Sequence, residues 1–153
     1  MEYKNRQQKR FRLYRPNTLA LARVLLVDDD LASRLTLKTV LEAGGYQVDS
    51  AASAAEAVGK MDRGRYELIL SDLQMESPEA GLRVLAHARL MDYEPATALI
   101  TAYPDTARPL TPTTSLLIKT QDVPELLAGV ANLISGRATR RLEREMRHAG
   151  VGC

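Results

Sequence analysis

The chain has 153 residues and a formal net charge of +2, with one cysteine, one phenylalanine and no tryptophan. This length suits one domain with a sizeable core and modest extensions, and two full domains are not expected. The single cysteine, Cys153, excludes an internal disulfide. No apolar run approaches the roughly 18 residues of a membrane helix or the roughly 7 residues of a signal-peptide core. We therefore expect a cytoplasmic protein without a membrane span.

The charge is unevenly distributed along the chain. Residues 1–23 carry a net charge of +6, residues 24–135 carry −7 and residues 136–153 carry +3. An acidic globular unit flanked by two basic ends is therefore predicted. We divide the chain into a basic N-terminal arm (1–22), a folded domain (23–135) and a basic C-terminal extension (136–153).

Hydrophobic periodicity predicts a regular alternation of strands and helices in the first two thirds of the chain. Strands are predicted over 24–27, 46–51, 68–71 and 98–101. The first helix passes through Leu37, Val40 and Leu41 and stops at Gly44-Gly45. The second helix begins at the capping-box pattern Ser53-Ala54-Ala55-Glu56 and ends near Gly64, and the third covers 81–90. This order predicts a parallel sheet covered by helices through right-handed crossovers.

The alternation breaks over residues 103–114. Three prolines stand in nine residues there, and they forbid a sustained helix because each removes an N–H and disfavours α geometry in the preceding residue. A strand over 116–118 follows, and Asp122 then starts a last helix. We expect that helix to pause at Ser135-Gly136.

Polar residues follow four of the predicted strands. They are Asp28, Asp29, Asp30, Asp72, Thr101 and Lys119. The ligand crevice of an open α/β sheet lies beyond the carboxyl ends of its strands, and crowded carboxylates become tolerable around a hard divalent cation. These residues supply cation ligands, a nucleophilic carboxylate, a hydroxyl and an ammonium, which are the parts that phosphoryl transfer needs.

Four segments, in this order, resemble the receiver domain of two-component response regulators. They are Val-Asp-Asp-Asp at 27–30, Leu-Ser-Asp-Leu-Gln-Met at 70–75, Ile-Thr-Ala at 100–102 and Leu-Leu-Ile-Lys at 116–119. The resemblance covers residues 23 to about 134. It implies a flavodoxin-like α/β fold of the chemotaxis type, a doubly wound five-stranded parallel sheet with strand order 2-1-3-4-5.

The resemblance also implies a cation site. In the family's pattern the ligands of Mg²⁺, or of Mn²⁺ in its place, correspond to Asp28, Asp29, Asp72 and the backbone carbonyl of Gln74. Asp29 matches the direct carboxylate ligand, and Asp28 matches the one that acts through water. Asp30 has no ligand role in that pattern, and we expect it at the start of the first helix.

The implied chemistry is phosphorylation of an aspartate. Asp72 matches the residue that accepts a phosphoryl group from the phosphohistidine of a sensor histidine kinase or a histidine phosphotransfer protein. Thr101 matches the hydroxyl, and Lys119 the ammonium, that contact the bound phosphoryl group. Such a phosphoprotein assists its own phosphorylation and dephosphorylation without being an enzyme for external substrates, and it signals by contact with an output protein.

Two departures from the family pattern leave alternatives open. Residues 103–114 stand where the fourth helix of the family is expected, so that helix is predicted to be shortened or replaced by a loop, which is either the switch or merely mobile. Leu116 replaces the usual aromatic residue of the switch. The alternative functions are a drifted receiver that interacts without phosphorylation, and nucleic-acid binding through the basic ends.

Overall fold

The computed structural model describes residues 21–73, 75–77, 79–102, 115–118 and 122–150. Within these ranges the strands are β1 (Arg23–Val27), β2 (Gln47–Ala51), β3 (Leu68–Asp72), β4 (Ala96–Thr101) and β5 (Leu116–Ile118). The helices are α1 (Leu31–Ala43), α2 (Ala54–Arg63), α3 (Ala80–Ala88) and α4 (Val123–His148). The predictions for the arm up to residue 20 and for segment 103–114 fall outside the described residues.

The described strands form one sheet in which every neighbouring pair is parallel. Their order is β2-β1-β3-β4-β5, the order that the resemblance implies. The predicted α/β fold with a parallel sheet is therefore confirmed. Sequential strands of a parallel sheet need crossover connections, and α1, α2 and α3 supply them between the first four strands.

Each face of the sheet carries its own apolar core, because successive side chains of a strand point to opposite faces. Val24 and Leu26 of β1 pack with α1 and α4, whereas Leu25 and Val27 pack with α2 and α3. All four side chains are fully buried. A strand buried on both faces must be apolar at every position, which explains the uninterrupted run that precedes the aspartates.

The predicted helix caps are present. The Asp30 carboxylate accepts a hydrogen bond from the Ser33 backbone N–H (2.8 Å) and caps α1, while Ser53 accepts one from Glu56 N–H (3.1 Å) and caps α2. Helix α1 ends at Ala43 with Gly44 as its C-cap, and the chain then turns through Gly45 at a φ of +102°. That conformation favours glycine, since other side chains are strained there.

Helix α4 runs without interruption from its N-cap residue, Asp122, to His148. The pause predicted at Ser135-Gly136 is therefore wrong. One glycine within a helix lowers helix stability by only about 1 kcal/mol relative to alanine. Just beyond Gly136, Arg137 donates hydrogen bonds to the backbone carbonyl of Tyr93, 2.7 Å away, and to that of Glu94, 3.0 Å away.

None of the described helices, α4 included, has a stretch that could span a bilayer.

Candidate acidic functional site

The register of the sheet brings polar residues of three strands to its carboxyl edge. The last paired residue of β1 lies opposite Ser71, so Asp28 and Asp72 stand side by side. Asp72 pairs in turn with Ile100, and Thr101 follows at the end of β4. Asp28, Asp72 and Thr101 are at most 6% exposed. Two carboxylates are thus buried beside a buried hydroxyl.

Asp29 completes a cluster of three carboxylates. One oxygen of each of Asp28, Asp29 and Asp72 lies within 4.8 Å of the others, and Asp29 is exposed where the other two are buried. The Asp30 backbone N–H donates to Asp28 Oδ1 (3.0 Å) and orients that side chain. Like charges this close repel each other strongly at low dielectric, and a hard cation among them would offset that repulsion.

The donor set fits magnesium. Mg²⁺ binds oxygen ligands in near-octahedral geometry at about 2.1 Å, so opposite ligands stand about 4.2 Å apart. The three carboxylate oxygens, at most 4.8 Å apart, occupy a space close to that size. The exposed side of the cluster leaves room for the waters that Mg²⁺ retains. Asp28, Asp29 and Asp72 could therefore hold the cation together with further oxygen ligands.

Packing at the end of β3 fixes the position of Asp72. The N–H of Leu73 donates to the carbonyl of Ile100 (2.9 Å), which continues the pairing of β3 with β4 for one residue past the strand. Gly81, in the first turn of α3, packs so closely that an added Cβ would lie 2.9 Å from the Asp72 carbonyl oxygen. Gly81 therefore allows α3 to approach the end of β3 closely. The sequence interpretation missed this role and treated Gly81 only as the start of a helix.

Glu76 ties the segment after Asp72 to the neighbouring helix. Its Oε1 accepts a hydrogen bond from the backbone N–H of Ala54 (2.9 Å), the first residue of α2. A carboxylate at a helix N-terminus satisfies an otherwise unpaired N–H and interacts favourably with the helix dipole. The sequence interpretation also missed Glu76, because its partner lies 22 residues away along the chain.

Glu56 and Arg34 add polar contacts around the site. Glu56 accepts a hydrogen bond from the Ala52 N–H (2.9 Å), and this bond lowers the pKa of its carboxyl, with smaller contributions from Lys60 and Arg34. Arg34 Nη1 donates to the backbone carbonyl of Asp28 (2.8 Å). These contacts fasten the turns after β1 and β2 beside the carboxylates.

The predicted site residues have different outcomes. The structure brings Asp28, Asp29 and Asp72 together, with Thr101 at the end of the adjacent strand. Gln74 and Lys119 lie outside the described residues, so their contacts stay predictions. Asp30 caps α1 as expected.

Comparison with known proteins identifies this arrangement. Residues 24–112 match the response regulator receiver domain family. The chain belongs to that family. Its receiver domain is 38% identical over 93 residues to the gliding motility regulatory protein of Myxococcus xanthus, a match that covers 58% of this chain and 12% of that protein. It is 28% identical over 81 residues to sporulation initiation phosphotransferase F of Bacillus subtilis, covering 53% of this chain and 64% of that protein.

Solved structures show the same fold. The response regulator TrrA of Thermotoga maritima, crystallised in complex with Mg²⁺-BeF, has 31% identity and a TM-score of 0.66, with 74% of this chain and 99% of that chain covered. Chemotaxis protein CheY4 of Vibrio cholerae has 25% identity and a TM-score of 0.64, with coverages of 74% and 99%. The receiver domain thus spans nearly all of these structures, but less than two thirds of the first curated relatives.

Proposed function

We propose that this receiver domain accepts a phosphoryl group on Asp72 from the phosphohistidine of a sensor histidine kinase or a histidine phosphotransfer protein. The observation that carries the proposal is the cluster of Asp28, Asp29 and Asp72 at the ends of β1 and β3 in a member of this family. An Asp72 carboxylate oxygen attacks phosphorus, and the P–N bond of the donor breaks. The imidazole nitrogen keeps the bonding electron pair and takes up a proton from solvent.

Neighbouring residues would share the work of charge neutralisation and positioning, on which phosphoryl transfer mostly depends. Asp28, Asp29, Asp72 and the Gln74 carbonyl would hold Mg²⁺, which when bound neutralises charge on the phosphoryl oxygens. The Thr101 hydroxyl would donate to one of those oxygens, and Lys119 would pair with another. The roles of Gln74 and Lys119 rest on the resemblance of sequence alone.

An exposed apolar patch supports a protein donor. Leu31 and Leu35 lie four residues apart on one side of α1, and they are 59% and 55% exposed. Helix α1 begins three residues after Asp28. A donor that rests on these leucines would stand next to the acidic cluster, where its histidine has to reach Asp72.

The phosphorylated domain would signal by contact with an output protein, because the added charge changes the local electrostatics. We infer a cytoplasmic location and no turnover of external substrates, as in the sequence interpretation. Nucleic-acid binding by the basic ends remains the alternative. A salt-dependent mobility shift that is lost on deletion of residues 1–16 would favour it.

The decisive experiment is intact-mass measurement after incubation with acetyl phosphate and Mg²⁺. Wild type should gain about 80 Da, one phosphoryl group, while Asp72→Ala should gain nothing. EDTA should abolish the gain in wild type. A wild-type chain that gains no mass with acetyl phosphate or with a histidine kinase overturns the proposal, as does equal labelling of Asp72→Ala.

A further inference from the structure

A second polar cavity lies toward the amino-terminal end of β1, away from Asp72. It is a shallow depression with a volume of about 350 Å³, and most of it is open to solvent. Its walls are formed by Arg23, Asp49, Lys60, Arg63, Gly64 and Tyr66. This volume falls within the roughly 300 to 1,000 Å³ of small-molecule sites. Neither the acidic cluster nor the proposed phosphorylation uses any of these residues.

Three side chains contact one another on the sheet side of the cavity wall. Arg23 Nη2 pairs with Asp49 Oδ2 at 3.2 Å, and the Tyr66 hydroxyl donates to the same oxygen at 2.7 Å. The Arg23 guanidinium also lies over the Tyr66 ring, 5.0 Å from its centroid. Burial and the hydrogen bond to Asp49 raise the pKa of Tyr66, so its hydroxyl stays neutral and adds no negative charge.

The cavity has an excess of one positive charge, that of Arg63, once the ion pairs of Arg23 with Asp49 and of Lys60 with Glu56 are counted. Three cations line it, whereas Asp49 is the one carboxylate in its wall. Lys60 is paired with Glu56 at 3.5 Å and donates to the Ser50 carbonyl. In the part of the chain that the structure describes, no carboxylate pairs with Arg63, and the buried Nε of Arg23 has no hydrogen-bond partner.

We propose that this cavity binds a small phosphate-bearing molecule, with a phosphate chain between Arg63, Lys60 and Arg23. Guanidinium groups match phosphate oxygens with paired N–H donors, and an ammonium adds a compact charge. A cation is disfavoured by the charge excess, and a purely apolar ligand would leave the charged side chains without partners. The volume exceeds that of one phosphate group, so a pyrophosphate or a nucleotide fits better than inorganic phosphate.

The test is calorimetric titration of the full chain with pyrophosphate and with ATP at low salt. EDTA is present throughout, so that no divalent cation joins either ligand to the acidic cluster. We expect saturable binding of both, with a Kd below about 1 mM. No saturation in the low millimolar range overturns the proposal.

Matched variants locate the binding. Arg63→Gln should weaken binding about tenfold, the loss of one charge-assisted contact. Arg89→Gln, which removes an exposed arginine of the same charge just after α3, should leave affinity unchanged. Arg63 has no ion pair among the described residues to lose. Its variant loses only the favourable interaction of a cation with the last turn of α2, so it should unfold close to the wild-type midpoint. Equal weakening by both variants, or no weakening by Arg63→Gln, overturns the proposal.

Amide chemical shifts give an independent readout. Pyrophosphate should perturb the amides of Asp49 and of residues 60–66 and leave those of Asp28 and Asp72 in place. Perturbation confined to other residues contradicts the assignment. Asp72→Ala should bind pyrophosphate like wild type, so failure of the phosphorylation proposal and failure of this one are distinguishable.

Discussion

The carbonyl oxygen of Asp72 stands 2.9 Å from the position that a Cβ of residue 81 would take. Gly81 therefore lets the first turn of α3 press against the end of β3, directly behind the carboxylate proposed to accept the phosphoryl group. Backbone lies on both sides of this contact, so an added methyl group forces the two elements apart.

Replacing Gly81 by alanine should destabilise the domain by about 1 to 3 kcal/mol, because overpacking outweighs the gain in helix propensity. The displacement of Asp72 should also slow phosphorylation by acetyl phosphate. Gly59→Ala in α2 is the matched control, since its Cβ would meet only the movable Arg63 side chain. That variant should be stabilised by about 0.5 to 1 kcal/mol. Urea unfolding of both variants measures the difference, and the same sign for both would refute the packing argument.

Asp29→Asn should raise the stability of the metal-free domain, because it relieves repulsion among the three carboxylates. It should also remove most of the rise in melting temperature that Mg²⁺ gives to wild type. Asp30→Ser removes a neighbouring carboxylate but keeps a residue able to cap α1, so it should retain the response to Mg²⁺. Thermal unfolding with EDTA and with Mg²⁺ tests both variants. An unchanged Mg²⁺ response in Asp29→Asn would contradict the cation site.

Leu35→Ser should slow phosphoryl transfer from a histidine donor about tenfold, the cost of losing one apolar contact in the complex. Phosphorylation by acetyl phosphate should be unchanged, since a small molecule needs no docking surface. Leu90→Ser is the control, because Leu90 is even more exposed (77%) and follows the far end of α3. Comparable slowing with both phosphoryl donors would point to a damaged site rather than lost docking.

Arg137→Ala should destabilise the domain by about 1 to 3 kcal/mol, because it leaves the carbonyls of Tyr93 and Glu94 without their donor. Arg140→Ala, an exposed substitution one turn further along α4, should stay within about 0.5 kcal/mol of wild type. Chemical denaturation of the two variants provides the comparison. Equal effects would mean that the charge of α4 matters and the Arg137 contacts do not.

Glu56 gives a pH-dependent contribution to stability. Its pKa is lowered in the folded state, mainly by the hydrogen bond from Ala52, so the ionised carboxylate stabilises the fold above its ordinary pKa of 4.5. That stabilisation is lost as pH falls through the lowered, folded-state pKa. After allowance for solvent screening, Glu56→Gln should cost about 0.5 kcal/mol at pH 7. Unfolding curves of both proteins should converge toward pH 3, and a constant gap would contradict the assignment.

The helix caps and the aspartate cluster could be predicted from the sequence. The caps at Asp30, Ser53 and Asp122 depend on residues within three positions along the chain, and all three are present. The aspartate cluster was predictable because the ends of neighbouring parallel strands meet at one edge of the sheet.

Contacts between residues far apart along the chain could not be predicted from the sequence. The pause expected at Ser135-Gly136 ignored Arg137, whose partners lie 43 and 44 residues away. Gly81 and Glu76 acquire their roles only when α3 reaches β3 and the segment after β3 reaches α2. A glycine or a glutamate at a helix start or in a loop has too many ordinary uses for its spacing alone to identify such a role.

The unbroken helix α4 has a mechanical consequence. Its 26 residues form a rod of about 39 Å, fastened through Arg137 to the turn that follows α3, while the other end of α3 presses on Asp72 at Gly81. If α4 moves as a rigid body, α3 connects its Arg137 contact to the acidic site. Arg144 is also paired with Glu94 of that turn. About 16 Å of helix lies beyond Arg137, so a tilt of about 5° about this contact would move His148 through about 1.4 Å. Motion at the aspartate could thus reach the basic end of the chain without passing through residues 103–114.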